Sequence, residues 1–153
     1  MIKKNLHLPS QGRCRRTERI FSMKSLLHSN IYEPQGTVLI SGSCLPDMQP
    51  EGFAVLAEQA DMVYALCLEE SHINMAITKI GAMLSTGRIT KLIFASVDRS
   101  PHCTQLHYIR HELERMMPLT IPVENYVVTE NRPVLVRNEA IELSKTLSRL
   151  AVL

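Results

Sequence analysis

From residue 37 onward, short apolar runs alternate with stretches in which apolar residues recur every three or four positions. Thr37-Val38-Leu39-Ile40-Ser41 stops at Gly42 and has the length and β-branching of a buried strand. Met62 to Leu68, Lys91 to Val97 and Val123 to Thr129 are runs of the same kind. Val134-Leu135-Val136 is a short fifth run, placed to pair with the fourth as a hairpin across Glu130-Asn131-Arg132-Pro133. Helical patterns fill the intervals. Glu51 to Ala60 turns Phe53, Leu56 and Ala57 to one side. Behind Ser71 as N-cap, His72 to Thr86 repeats Ile73, Ile77, Ile80 and Leu84 on one face, and Gly87 closes the helix. Ser100-Pro101 opens the next helix, whose stripe is Leu106, Ile109, Leu113 and Met116 or Met117. Asn138 is placed to cap a last helix carrying Leu143, Leu147 and Leu150. Residues 43–50, with Pro46, Asp47 and Pro50, read as loop.

This alternation predicts an α/β fold: one open, mostly parallel sheet of four or five strands with helices on both faces. By element order alone it resembles the Rossmann-like or flavodoxin-like architecture, which hosts many unrelated functions. At 153 residues the chain is long enough for one self-sufficient core. With no Trp and few aromatics, that core must rest on Leu, Ile, Val and Met.

Charge changes the picture at the N-terminus only. Residues 1–24 carry seven Lys and Arg against Glu18, leaving 10 basic and 14 acidic residues for the rest. We therefore expect residues 1–30 to form a basic, flexible extension and residues 31–153 the α/β domain, with Met23 as an alternative start. The arm lacks periodicity and interleaved aromatics, so nucleic-acid binding ranks last among the functions considered. No apolar run approaches the roughly 18–20 residues of a membrane span. The N-terminus also lacks the apolar core of a secretory signal. Cys14, Cys44, Cys67 and Cys103 are widely spaced, without a C-x-x-C pair, as expected of free thiols in the cytoplasm.

In open parallel sheets ligands bind beyond the carboxyl ends of the strands. That rule selects the loops beginning at Ser41-Gly42-Ser43-Cys44, Glu69-Glu70-Ser71-His72, Asp98-Arg99-Ser100-Pro101-His102-Cys103 and Thr129-Glu130-Asn131-Arg132. Cys103 falls in a first helical turn, where free N–H groups favour a thiolate, and His107 lies one turn on. The expected site is therefore a thiol–imidazole cluster of His102, Cys103 and His107, with Asp98 orienting a base. Ser41, Gly42, Ser43, Cys44, Glu70, His72, Arg99 and Arg132 are the expected ligand contacts. Cys67, inside an apolar run, reads as core, and His111 as surface.

Several chemistries fit these residue types. His102, Cys103 and His107 could ligate zinc or iron, although no diagnostic ligand spacing is present. Cysteine nucleophilic or redox chemistry is equally compatible. Arg99 and Arg132 could receive a phosphorylated small molecule, but neither G-x-G-x-x-G nor a P-loop follows the first strand. The grouped thiolates of an iron–sulfur cluster are missing. So are the Cys-x-Asp-x-Arg and His-x-x-Cys spacings of β-type carbonic anhydrases. The expected partner is a small-molecule ligand. The competing class is an interaction module or accessory subunit that docks a protein partner, or a second copy of itself, through its apolar C-terminal end.

Overall fold

The computed structural model describes residues 23–151. The basic arm as far as residue 22, Cys14 and the last two residues of the apolar tail lie outside them.

Six strands form one sheet: β1 (Lys24–Ser25), β2 (Gly36–Gly42), β3 (Met62–Leu66), β4 (Ile89–Val97), β5 (Val123–Thr129) and β6 (Arg132–Leu135), ordered β1-β3-β2-β4-β5-β6. Every pairing is parallel except β5 with β6. Between β2 and β3 lie α1 (Leu45–Met48) and α2 (Pro50–Ala57); α3 (Ile73–Ser85) links β3 to β4. After β4 come α4 (Pro101–Thr104), a 3₁₀ turn over Gln105–Tyr108 and α5 (Ile109–Met116). Two short helices, α6 (Asn138–Ser144) and α7 (Leu147–Leu150), follow the hairpin.

Alternation along the central strands divides the core in two. Val38, Ile40, Leu92 and Phe94 point to one face, where Ala76, Ile80 and Met83 of α3 and Ile109 and Leu113 of α5 cover them. Leu39, Ile93, Ala95 and Val97 point to the other, beneath Leu45, Phe53 and Leu56 of α1 and α2. The α/β expectation therefore stands, with one strand more than expected.

Five local expectations need correction. Residues 23–30 belong to the folded unit: β1 pairs with β3, Leu26 is fully buried, and its N–H donates to Ala65 O at 2.9 Å. The Lys24–Glu33 ion pair and a hydrogen bond from Lys79 Nζ to Ser29 O hold the same segment. Residues 45–48 are helical because Pro46 and Pro50 sit in first helical turns, where a missing N–H costs nothing. His72, not Ser71, is the N-cap of α3, and Arg137, not Asn138, that of α6. The last helix also breaks after Ser144, leaving Leu147 76% exposed and Ile141 as the residue that α6 buries. Gly87 ends α3 as expected, at φ +70°.

The hairpin turn needs two residues in the left-handed region, and Glu130 and Asn131 adopt φ values of 50° and 57°. Asn131 also reaches across to α2, its Oδ1 accepting from Glu51 N at 3.2 Å. Gly52 lets the helix lie this close, since a Cβ there would stand 2.3 Å from Val128 Cγ1.

Candidate functional site

β3 lies on one side of β2 and β4 on the other, so the chain reverses its direction of winding at β2. The carboxyl ends of β2 and β4 therefore flank a topological switch point, where such sheets leave a crevice. A cavity of about 300 Å³ occupies it. Gly42, Ser43 and Cys44 line it from β2, Leu66, Cys67, Leu68 and Glu69 from β3, and Ser100, His102, Cys103 and Leu106 from β4.

Local hydrogen bonds fix these loops. Ser43 N–H donates to Leu66 O at 3.1 Å, tying the end of β2 to that of β3. After β4, Arg99 takes a left-handed φ of 65°, and its N–H donates to Asp98 Oδ1 at 3.0 Å. Ser100 then caps α4: its Oγ accepts from Cys103 N at 3.3 Å, and its carbonyl accepts from Thr104 N at 3.0 Å. Cys103 is thereby brought to Cys44, sulfur to sulfur, at 3.8 Å. Gly42 gives the sulfur room, because a Cβ there would touch Cys103 Sγ at 3.4 Å. Burial, reinforced by the neighbouring Cys103 and more weakly by Cys67, pushes the Cys44 thiol up to about 11. Cys44 is therefore a protonated thiol at neutral pH. His102 stands on the rim, its side chain 53% exposed, with Nδ1 3.9 Å from Glu69 Oε2.

Residues 34–151 match the family model of the Rossmann-like domain. The chain belongs to that family. No curated protein and no solved structure matches it. Within the Rossmann-like domain, the site sits where the topology places ligands, but Gly42 stands there without a phosphate-binding glycine loop.

Of the residues expected at the site, Gly42, Ser43, Cys44, His102 and Cys103 meet around the cavity. The others do not. His107 is turned into the core, where Nδ1–H donates to Asn125 Oδ1 at 3.0 Å and Nε2 accepts from Ser96 Oγ at 2.8 Å. Burial holds its pKa below the ordinary histidine value, against the smaller opposing effect of Asn125. Ser41 is buried and donates to Gly42 O, and Asp98 is exposed and engaged in its own turn. Glu70, His72, Arg99 and Arg132 are exposed and do not line the cavity. The expected zinc or iron set of His102, Cys103 and His107 is thus split. Among the described residues, no three His, Cys, Asp or Glu side chains are arranged to hold a metal ion.

His111, expected on the surface, is buried against the C-terminal helices, with Nδ1 2.9 Å from Glu142 Oε1 and 2.8 Å from Lys145 Nζ. Six cavity-lining residues are not singled out by the sequence: Leu66, Cys67, Leu68, Glu69, Ser100 and Leu106. Cys67 reads as core from its apolar run, yet β3 ends at Leu66 and leaves it as the first residue beyond the strand. Glu69 lines the cavity while its neighbour Glu70 does not, and residue type alone does not separate them. Among the described residues, no helix is long and apolar enough to cross a membrane.

Proposed function

We propose that this Rossmann-like domain binds a compact, neutral or cationic small molecule in the switch-point cavity and presents it to the thiols of Cys44 and Cys103. The observation that carries the proposal is the convergence of three strand-end loops on one cavity with those sulfurs 3.8 Å apart in its wall. Leu66, Leu68 and Leu106 supply apolar wall, and Glu69 and His102 supply the polar rim. This revises the thiol–imidazole cluster: His102 remains beside the thiols and His107 drops out. Among the described residues, no Lys or Arg lines the cavity, so a phosphorylated ligand would face Glu69 without a compensating cation from them. The phosphate reading falls behind for that reason.

Amide chemical-shift mapping against a library of small neutral and cationic compounds tests the proposal. Shifts should concentrate at Ser43, Cys67, Glu69 and His102. Stronger shifts from inorganic phosphate or AMP, or shifts only outside the cavity, would refute it.

A second reading, docking of a protein partner, is favoured by the outer edge of the sheet. Val134 and Leu135 of β6 are 46% and 56% exposed there. Sedimentation showing a strict monomer would remove the homo-oligomeric form of this reading.

A further inference from the structure

We infer that Cys44 and Cys103 form a thiol–disulfide exchange centre whose substrate is a low-molecular-weight, uncharged or cationic disulfide. The inference rests on the cavity being a ligand site and names the class of ligand. Three observations support it.

The first is reach. A disulfide needs its sulfurs about 2.05 Å apart. Closing the 3.8 Å separation is a movement of less than 2 Å shared between two side chains. Cys44 is the N-cap of α1 and Cys103 lies in the short α4, so neither is held in the strand ladder, and Gly42 leaves the Cys103 sulfur unobstructed by a side chain at that position.

The second is division of labour. Burial and the adjacent Cys103 keep the proton on Cys44 up to about pH 11. The Cys103 sulfur, which Gly42 leaves unobstructed, is assigned the attack and Cys44 the resolution.

The third is the fit of the substrate. Both thiols line the same cavity of about 300 Å³, to which no Lys or Arg among the described residues contributes. A large, polyanionic disulfide such as oxidised glutathione is a poor match, whereas a short neutral or cationic one is a good match.

The chemistry balances without further reactants. The Cys103 thiolate attacks one sulfur of R–S–S–R, that S–S bond breaks, and RS⁻ departs, leaving Cys103 joined to SR. The departing thiolate takes the Cys44 proton. Cys44 then attacks the Cys103 sulfur and expels the second RS⁻, which takes up the proton lost earlier by Cys103. Two protein thiols are oxidised to one disulfide and R–S–S–R is reduced to two RSH. Cys67 lines the cavity without entering this sequence.

The test uses the full chain with Cys14→Ser, anaerobically, with bis(2-hydroxyethyl) disulfide as probe. Released 2-mercaptoethanol is counted and the disulfides are mapped by peptide mass spectrometry. Two equivalents per chain and a Cys44–Cys103 cross-link are expected. Adding Cys44→Ser should give one equivalent and a stable adduct on Cys103. A persistent Cys103 adduct with Cys44 present, a cross-link through Cys67, or reaction no faster than in the urea-unfolded chain would overturn the inference. If small compounds still shift the cavity amides in that case, the ligand site stands and only the exchange chemistry fails. If the cross-link forms but neither the probe nor any library compound shifts those amides, the cavity reading falls, and the assignment of a substrate falls with it.

Discussion

At the residue scale, His107 shows how local helix geometry redirects a side chain. Spaced four from Cys103, it would sit only about 40° away on an ideal α-helix with 3.6 residues per turn. The segment Gln105–Tyr108 is instead 3₁₀, with about 3.0 residues per turn, and turns His107 farther round. The imidazole therefore lies under the sheet rather than over the cavity, neutral between Ser96 and Asn125. Its charge should destabilise the fold. Because burial lowers the folded-state pKa below 6.5, the unfolded chain binds the extra proton first. Stability is then complete above pH 6.5 and is lost as pH falls below it, with a slope of at most about 1.4 kcal/mol per pH unit. Urea midpoints should drop between pH 7.5 and pH 5.5, and drop less in His107→Gln; equal drops would absolve the histidine. Cys44 offers a second check at this scale. With its thiol pushed up to about 11, mainly by burial, its iodoacetamide labelling at pH 8 should be slower than that of a peptide cysteine. Labelling at the peptide rate would show that the thiol is not held protonated.

At the element scale, long runs with a clear period were legible and short pieces were not. Val123–Thr129 has the expected bounds because turn residues frame a β-rich run. β1 has two residues, too few for any period, and its contribution depends on pairing with Tyr64 and Ala65. α1 was hidden by prolines that terminate helices when internal but suit a first turn. Packing between elements is likewise silent in a sequence, and two glycines make it measurable. A Cβ at Gly52 would stand 2.9 Å from the carbonyl carbon of Asn131 as well as 2.3 Å from Val128 Cγ1, so α2 must lift off the hairpin. Gly52→Ala should cost about 1–3 kcal/mol. At Gly81, inside α3, a Cβ would meet only Leu113 Cδ2 at 3.7 Å, an ordinary contact. Gly81→Ala should stabilise by about 0.5–1 kcal/mol. Urea titration of both variants checks the opposite signs; two losses would mean that α3 and α5 are packed too tightly to accept the methyl group.

At the scale of the whole molecule, the parallel order β3-β2-β4-β5 turns scattered residues into a site. Cys44 and Cys103 are 59 residues apart in the chain, and only the switch of winding at β2 brings them together. The carboxyl-end rule could point to both loops from the sequence, since it needs only strand ends. It could not say which loops would be adjacent, and so it spread the expected site as far as Arg132 at the hairpin. The same long separation gives the proposed disulfide a thermodynamic signature. A cross-link closing a loop of about 60 residues removes unfolded-chain entropy worth up to about 4 kcal/mol, less whatever strain the closed geometry introduces. The oxidised protein should therefore unfold at higher urea than the reduced protein, and Cys44→Ser should show no difference between oxidising and reducing conditions. A cross-linked form that is less stable than the dithiol would mean that closure strains the two loops by more than the entropy gained. Such a disulfide would be readily reduced, an exchange centre poised toward its dithiol form. A cross-linked form several kcal/mol more stable would persist as a structural clasp across the switch point, with Cys44 and Cys103 removed from the cavity's chemistry until a reductant reopens it.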